Sequence, residues 1–429
     1  MSQSFPAIPA LSAAICTIFV LLIPFAAAGL ALLNAGLTRT RSVAHSLFTS
    51  LCAIGIAAVV YFACGYKWQS GAGLTAHTLY VSGKAWDWLG TGPFFLRGLA
   101  SSDARQALIA LFGMQSAGIC TLIPLGTGAE RWRMAASFTC AAILAGFIYP
   151  VFAHWAWGNG WLAQLGSNHH LGTGFMDAAG SGCIHVIGGS SALSAAWLLR
   201  PRRGKYTASG MPTATPGHNA PLVLFGCLLA LVGWFGLNTA GAILFARGDL
   251  PGSPLVLVNT LLSASGGGLS ALAITRLRFS KPDASLFANG WVSGLVASSA
   301  SAPFMNAAAA LLVGLIAGTL VIFAIEIVEL RMKVDDPAGA ISVHTLGGLW
   351  GLLAVGLFTD SGQLAAQLVG IATLLGCVFP ATYILYRLVN RFVPFRVASE
   401  GERQGMDLFE LGAGAYPEFM IHREDFGLH

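Results

Sequence analysis

Up to about residue 392 the chain alternates between long apolar stretches and short polar ones. A window of about 19 residues finds eleven stretches long enough for a helix to cross a hydrocarbon core of about 30 Å. They run roughly 10–36, 43–66, 104–124, 132–154, 181–199, 220–245, 254–275, 286–303, 306–330, 341–359 and 364–389. The pattern predicts an all-α integral membrane protein, with a membrane domain over 1–392 and a polar tail over 393–429. No Lys or Arg precedes the first stretch, so it is expected to be a retained helix rather than a secretory signal.

With eleven spans, alternate loops fall on opposite sides, and the charges choose between them. Eighteen of the 23 Lys and Arg fall on one side: Arg39 and Arg41, Arg131 and Arg133, RPRRGK at 200–205, RLRFSK at 276–281, Arg331 and Lys333, and the C-terminal end. The positive-inside rule then puts the N-terminus outside and the C-terminus in the cytoplasm.

Two segments repeat. Residues 177–189 read DAAGSGCIHVIGG and residues 336–348 read DPAGAISVHTLGG, matching at six of thirteen positions. They open the fifth and tenth stretches, so the first ten divide into pseudo-repeats over about 10–200 and 220–360, with the eleventh, about 364–392, apart. Five is odd, so the second group is inverted relative to the first, an arrangement that puts a solute path at the repeat interface in many transport proteins.

Composition agrees with this picture. The chain is 55% hydrophobic and 10% charged, where soluble domains carry about a quarter charged residues. Its net charge of +5 calls for no nucleic-acid partner, because the basic residues gather at the ends of the stretches. Eight cysteines lie in or beside apolar stretches without CxxC or Cys/His spacing. They are expected to be small buried residues, and neither metal nor cofactor is implied.

Among ten histidines, only His185 and His344 fall well inside apolar stretches; His45 and His154 lie at their ends. An ionisable side chain inside a bilayer faces a bundle interior or a watery path. Two imidazoles brought together by pseudo-symmetry could share one proton and titrate as a unit, since protonating both would set like charges side by side. Asp177 and Asp336 precede their helices and are expected to cap them; Asp177, on the outer side, could also favour an approaching cation. Trp155 and Trp161 in HWAWGNGW are expected to be interfacial anchors, although an indole face can also hold a small cation.

At this point the chain resembles the ammonium transporters of the Amt/Mep/Rh group. The likeness runs through ALLNAGLTRTRSV, GAERWR, AHWAWGNG, the Asp177–His185 segment, GWFGLN, VDDPAGAISVHTLGG and EGERQGMDLFELGAGAY. It implies a homotrimer of eleven-helix subunits in a bacterial inner membrane, surrounded by lipid, each subunit passing ammonium and often methylammonium through its own narrow pore. His185 and His344 match the twin pore histidines, Asp177 the recruitment acid, Trp157 the tryptophan over the outer vestibule, and Trp234 another aromatic beside the pore; Asp177, Trp157 and Trp234 are expected to recruit ammonium. Several positions depart from the pattern. Ser116 and Leu237 stand at the two gate phenylalanines, with Phe112 keeping an aromatic one turn before Ser116. Gly241 replaces the serine that contacts the outer ammonium, Gly339 an acidic residue, and Leu411 the histidine of the tail motif. The resemblance further implies a PII-type regulator at the cytoplasmic face.

The expected mechanism follows from charge. An ion buried alone is penalised far more than neutral ammonia, so ammonium would lose its proton near Trp157 and Asp177, ammonia would pass, and the histidines would relay the proton. An ammonium-sensing receptor and an electroneutral channel for ammonia or carbon dioxide, as in the Rh branch, are the alternatives. An enzyme is not expected, since no nucleophile or metal cluster accompanies the histidines.

Overall fold

The computed structural model describes residues 8–69, 76–99, 103–246, 253–358 and 363–416. The last thirteen residues of the predicted tail, 417–429, lie outside them. Ten helices among the described residues are long and apolar enough to cross a membrane. They are α1 (Ala10–Leu37), α2 (Thr40–Gln69), α3 (Ala104–Gly128), α4 (Met134–Ala156), α5 (Ser181–Leu199), α6 (Ala220–Phe245), α7 (Pro254–Phe279), α9 (Ala307–Arg331), α10 (Ile341–Phe358) and α11 (Gln363–Phe392). Between α7 and α9 lies α8, Ala284–Ser301.

Helix α8 accounts for the difference between eleven predicted spans and ten. It forms where the eighth stretch is predicted, but its serines, its glycines and Asn289 dilute its hydropathy. Its neighbours supply the reason: from Val292 to Ser301 every residue is buried. A helix shielded by other helices has no need of the apolar surface that a lipid-facing one requires.

Small residues set how closely the helices approach, as in many membrane bundles. A β-carbon at Gly29 of α1 would lie 2.5 Å from backbone atoms of Gly226 and Ala230 in α6, and one at Gly233 would lie 1.9 Å from the backbone nitrogen of Ala26. A second seam joins α7 to α8 and α9. There, β-carbons at Gly267 and Gly294 would lie 2.2 Å from carbonyl oxygens of Gly290 and Ser263, and at Gly314 2.1 Å from Ser263 O.

One element escapes the apolar pattern. Between α2 and α3 an antiparallel hairpin pairs β1 (Ala76–Val81) with β2 (Lys84–Gly90). Its two-residue loop, Ser82-Gly83, has φ of 51° and 74°, the left-handed pair that closes a tight hairpin. Tryptophans hold it down: Trp155 Nε1 donates to the Trp88 carbonyl at 2.7 Å, and Trp161 stacks on Trp88 with centroids 5.5 Å apart. Trp155 and Trp161 thus fasten a hairpin.

Candidate functional site: a histidine pair between α5 and α10

Each histidine is positioned by the same local device. The Asp177 carboxylate accepts from the backbone N–H groups of Gly180 at 2.9 Å, Gly182 at 2.9 Å and Cys183 at 2.8 Å. The Asp336 carboxylate accepts from Ala340 at 3.1 Å and Ile341 at 2.8 Å, and from the Thr127 hydroxyl at 2.6 Å. Both therefore cap the first turn of a helix, satisfying donors that have no intrahelical acceptor. Three residues after each Asp comes a glycine in the left-handed region, Gly180 at φ 108° and Gly339 at φ 68°. An acidic side chain at 339 would be strained there, and its β-carbon would meet the Asn289 amide at 2.7 Å. Beyond each cap the helix opens in a wide π-helical turn, Ser181–Val186 and Ile341–Leu346, and each turn carries its histidine. Such turns recur at functional sites.

The two turns bring the rings together. His344 Nδ1 stands 3.3 Å from His185 Nδ1, and the rings meet edge to edge, with centroids 5.2 Å apart and planes inclined by 24°. One face of His185 lies on Trp234, at 5.2 Å and 8°, and Trp234 Nε1 donates to the Ser299 hydroxyl at 3.0 Å. Trp234 thus belongs with the histidines rather than with the outer residues. His185 Nε2 is buried without a protein partner. On the His344 side a cavity of about 20 Å³ is lined by that ring, Asn34, Asn289 and aliphatic side chains of α1 and α8, room for a water-sized molecule.

At the other end, Trp157 Nε1 donates to the Asp177 carbonyl at 2.5 Å, so two of the predicted recruitment residues are in contact. Burial raises the Asp177 carboxyl above its ordinary range, against the pull of the N–H groups it accepts from. Phe112 is fully buried and meets Trp157 edge to face at 5.7 Å. One turn along α3, Ser116 is fully buried. Leu237 is fully buried in α6.

Gly241 owes its identity to packing. A β-carbon there would lie 2.5 Å from Ala178 O and 2.6 Å from Ala179 Cβ, inside the turn that carries Asp177. Gly241→Ser is therefore expected to displace that turn. Overpacking of this kind costs about 1–3 kcal/mol, visible as a lower unfolding temperature of the detergent-solubilised protein; an unchanged temperature would show that the turn yields freely.

The opposite face, where the basic loops meet, is tied by charges that sequence patterning treats only as orientation signals. Arg202 grips Asp335 with two bonds at 2.9 and 3.0 Å and reaches Glu130 at 2.6 Å. Arg131, fully buried, donates to the Asp335 carbonyl and to Arg200 O, each at 2.8 Å. Burial would raise the Asp335 carboxyl, but Arg131 and Arg202 outweigh it and hold it at about 2. Its neighbour Asp336 has no such partners, and desolvation pushes it up to about 6. The tail docks beside this cluster. Asp407 accepts from His45 N at 2.7 Å and Ala44 N at 3.2 Å, Glu410 bonds His45 Nε2 at 2.8 Å, and Leu411 closes the turn that carries both acids.

Known proteins resemble this chain over nearly its whole length. Residues 14–416 match the model of the Ammonium Transporter Family. Ammonium transporter Amt2 of Archaeoglobus fulgidus is 34% identical over 95% of this chain and 88% of its own length. Amt2 of Haloferax mediterranei is 31% identical over 95% and 90%. Among solved structures, one named Sensor Amt Protein superposes with a TM-score of 0.83 at 28% identity, covering 93% of this chain and 98% of its own. Mep2 of Candida albicans shares the fold with a TM-score of 0.78 at 23% identity, over 95% and 90%. With the family's pattern matched across nearly its whole length, this chain belongs to the ammonium transporter family.

Proposed function

We propose that this chain carries ammonium across a bacterial inner membrane, as ammonia and a separately relayed proton. The supporting observation is the contact between His185 and His344, 3.3 Å apart between the two helices that carry the repeated motif. Asp177 and Trp157 form the receiving end, and Trp234 holds the first histidine flat. Ammonium gives up its proton at that end, because an uncompensated charge in a dry path is severely penalised. Ammonia then passes the rings, and the proton moves along the imidazoles, each a donor at one nitrogen and an acceptor at the other. In this reading α8 is the eleventh crossing. Two groups of five helices are inverted relative to each other, the N-terminus is outside, and the docked tail faces the cytoplasm. Family membership supports a homotrimer and a PII-type partner on the tail side.

The test is solid-supported-membrane recording on proteoliposomes. Ammonium and methylammonium pulses are expected to give currents, and potassium none; a potassium signal as large as that of ammonium would overturn the reading. A second reading, an ammonium sensor, is favoured by the likeness to the Sensor Amt Protein together with an indole at the outer mouth that is almost wholly covered. Calorimetric binding of ammonium without any current would select it.

A further inference from the structure

Resting on that reading, we infer that Phe245 is the outer gate of this chain and governs which amines reach the histidines. Its ring lies flat on the Trp157 indole, with centroids 4.6 Å apart and planes inclined by only 9°. Phe112 meets it edge to face at 5.3 Å. An indole face attracts a cation through its negative quadrupole, and here a hydrocarbon ring already covers it. Phe112 and Tyr149 approach the same indole at 5.7 and 6.4 Å, so Trp157 is only 4% exposed. A cation reaches the indole face only when Phe245 leaves it.

Of these rings, Phe245 is the least enclosed, the others being buried. The Trp157 indole is tied through its N–H to the Asp177 carbonyl, and Phe112 is fully buried within α3. Phe245 is the last residue of α6, half-buried, with no polar atom to tether its side chain. Arg105 donates to the carbonyl of Leu244 at 2.5 Å, fixing the adjacent backbone and leaving the movement to the side chain. The trade is nearly balanced, since a stacked aromatic pair and a cation on an indole are attractions of similar size. Loading therefore exchanges a phenyl for an ammonium on one surface. The further inward positions, Ser116 and Leu237, carry no aromatic ring, so discrimination by size falls to Phe245. A larger amine has to hold the ring further aside.

The experiment uses the full chain, reconstituted for current recording and in detergent for calorimetry with ammonium chloride against sodium chloride. Phe245→Ala is expected to lower the half-saturating ammonium concentration about three- to tenfold, the range set by losing one aromatic pair, and to raise the methylammonium-to-ammonium current ratio. Phe245→Leu, which keeps apolar bulk without a flat ring, is expected to shift both the same way and serves if the alanine variant fails to fold. Wild-type values of both quantities in both variants would overturn the gate and leave the transport reading intact. If the wild type binds ammonium without current, the transport reading falls and the gate is decided by the calorimetric affinities: tighter binding by the variants supports it, equal binding overturns it. A wild type that neither binds nor carries ammonium removes both.

Discussion

Replacing His185 and His344 together by alanine is expected to reduce ammonium-evoked current at least about tenfold, the equivalent of about 1.4 kcal/mol on the barrier, with no potassium current in its place. The two rings are in contact, so each is the other's hydrogen-bonding partner. Their surroundings are closed: His185 is fully buried, with Trp234 on its face and His344 at its edge. A proton entering such a pair is shared, because two adjacent imidazolium ions in a dry setting repel each other strongly. Removing both rings deletes the two imidazoles that meet between α5 and α10, while ammonia still fits the space left behind. Charge movement should therefore suffer more than passage of neutral ammonia, which pH-sensitive dye inside the vesicles reads separately. Full ammonium currents in a well-folded double variant would refute the relay.

Asp335→Asn is expected to cost roughly 3–5 kcal/mol of stability, the usual result of breaking a buried ion pair from one side. The variant leaves Arg202 with Glu130 alone and strips Arg131 of its nearest carboxylate, and both guanidiniums are buried. The sign of the pH dependence follows. With its folded value held at about 2 and an unfolded value near 3.9, Asp335 contributes its full stabilisation above about pH 4 and loses it as pH falls towards 2. Arg203→Ala is the contrast: that side chain is 55% exposed and meets Glu402 at 3.7 Å, so its loss should cost under about 1 kcal/mol. Thermal unfolding followed by size-exclusion fluorescence separates the two, and equal losses would mean that the buried cluster is no stronger than a surface pair.

Much of this was legible beforehand, for reasons that can be named. A helix that crosses a membrane must be apolar over about 20 residues, so the long helices stand out. The capping acids and the histidines are legible because the same local device is written twice, Asp177 with Gly180 and Asp336 with Gly339. What sequence reading missed depends on neighbours. Phe245 looks like one more apolar residue at a helix end; only the fold lays it on Trp157. Gly241 looks like a missing hydroxyl until the turn at 178–179 is seen against it. Arg131, Arg202, Glu130 and Asp335 sit in loops that mark orientation, and nothing in their spacing says that they bury one another. The hairpin did leave a sign, Ser82-Gly83 between alternating residues, but a 19-residue hydropathy window averages such a signal away.

The seam between α1 and α6 bears on how this protein can work. Where a β-carbon at Gly233 would overlap the backbone of Ala26, the main chains of α1 and α6 lie in direct contact. Transporters that alternate between outward-open and inward-open forms rock one repeat against the other; with the repeats divided as the sequence suggests, this contact would oppose such rocking. Throughput should then follow how often the conduit is filled, as in a turnstile-free channel, with discrimination left to local rearrangement at its entrance.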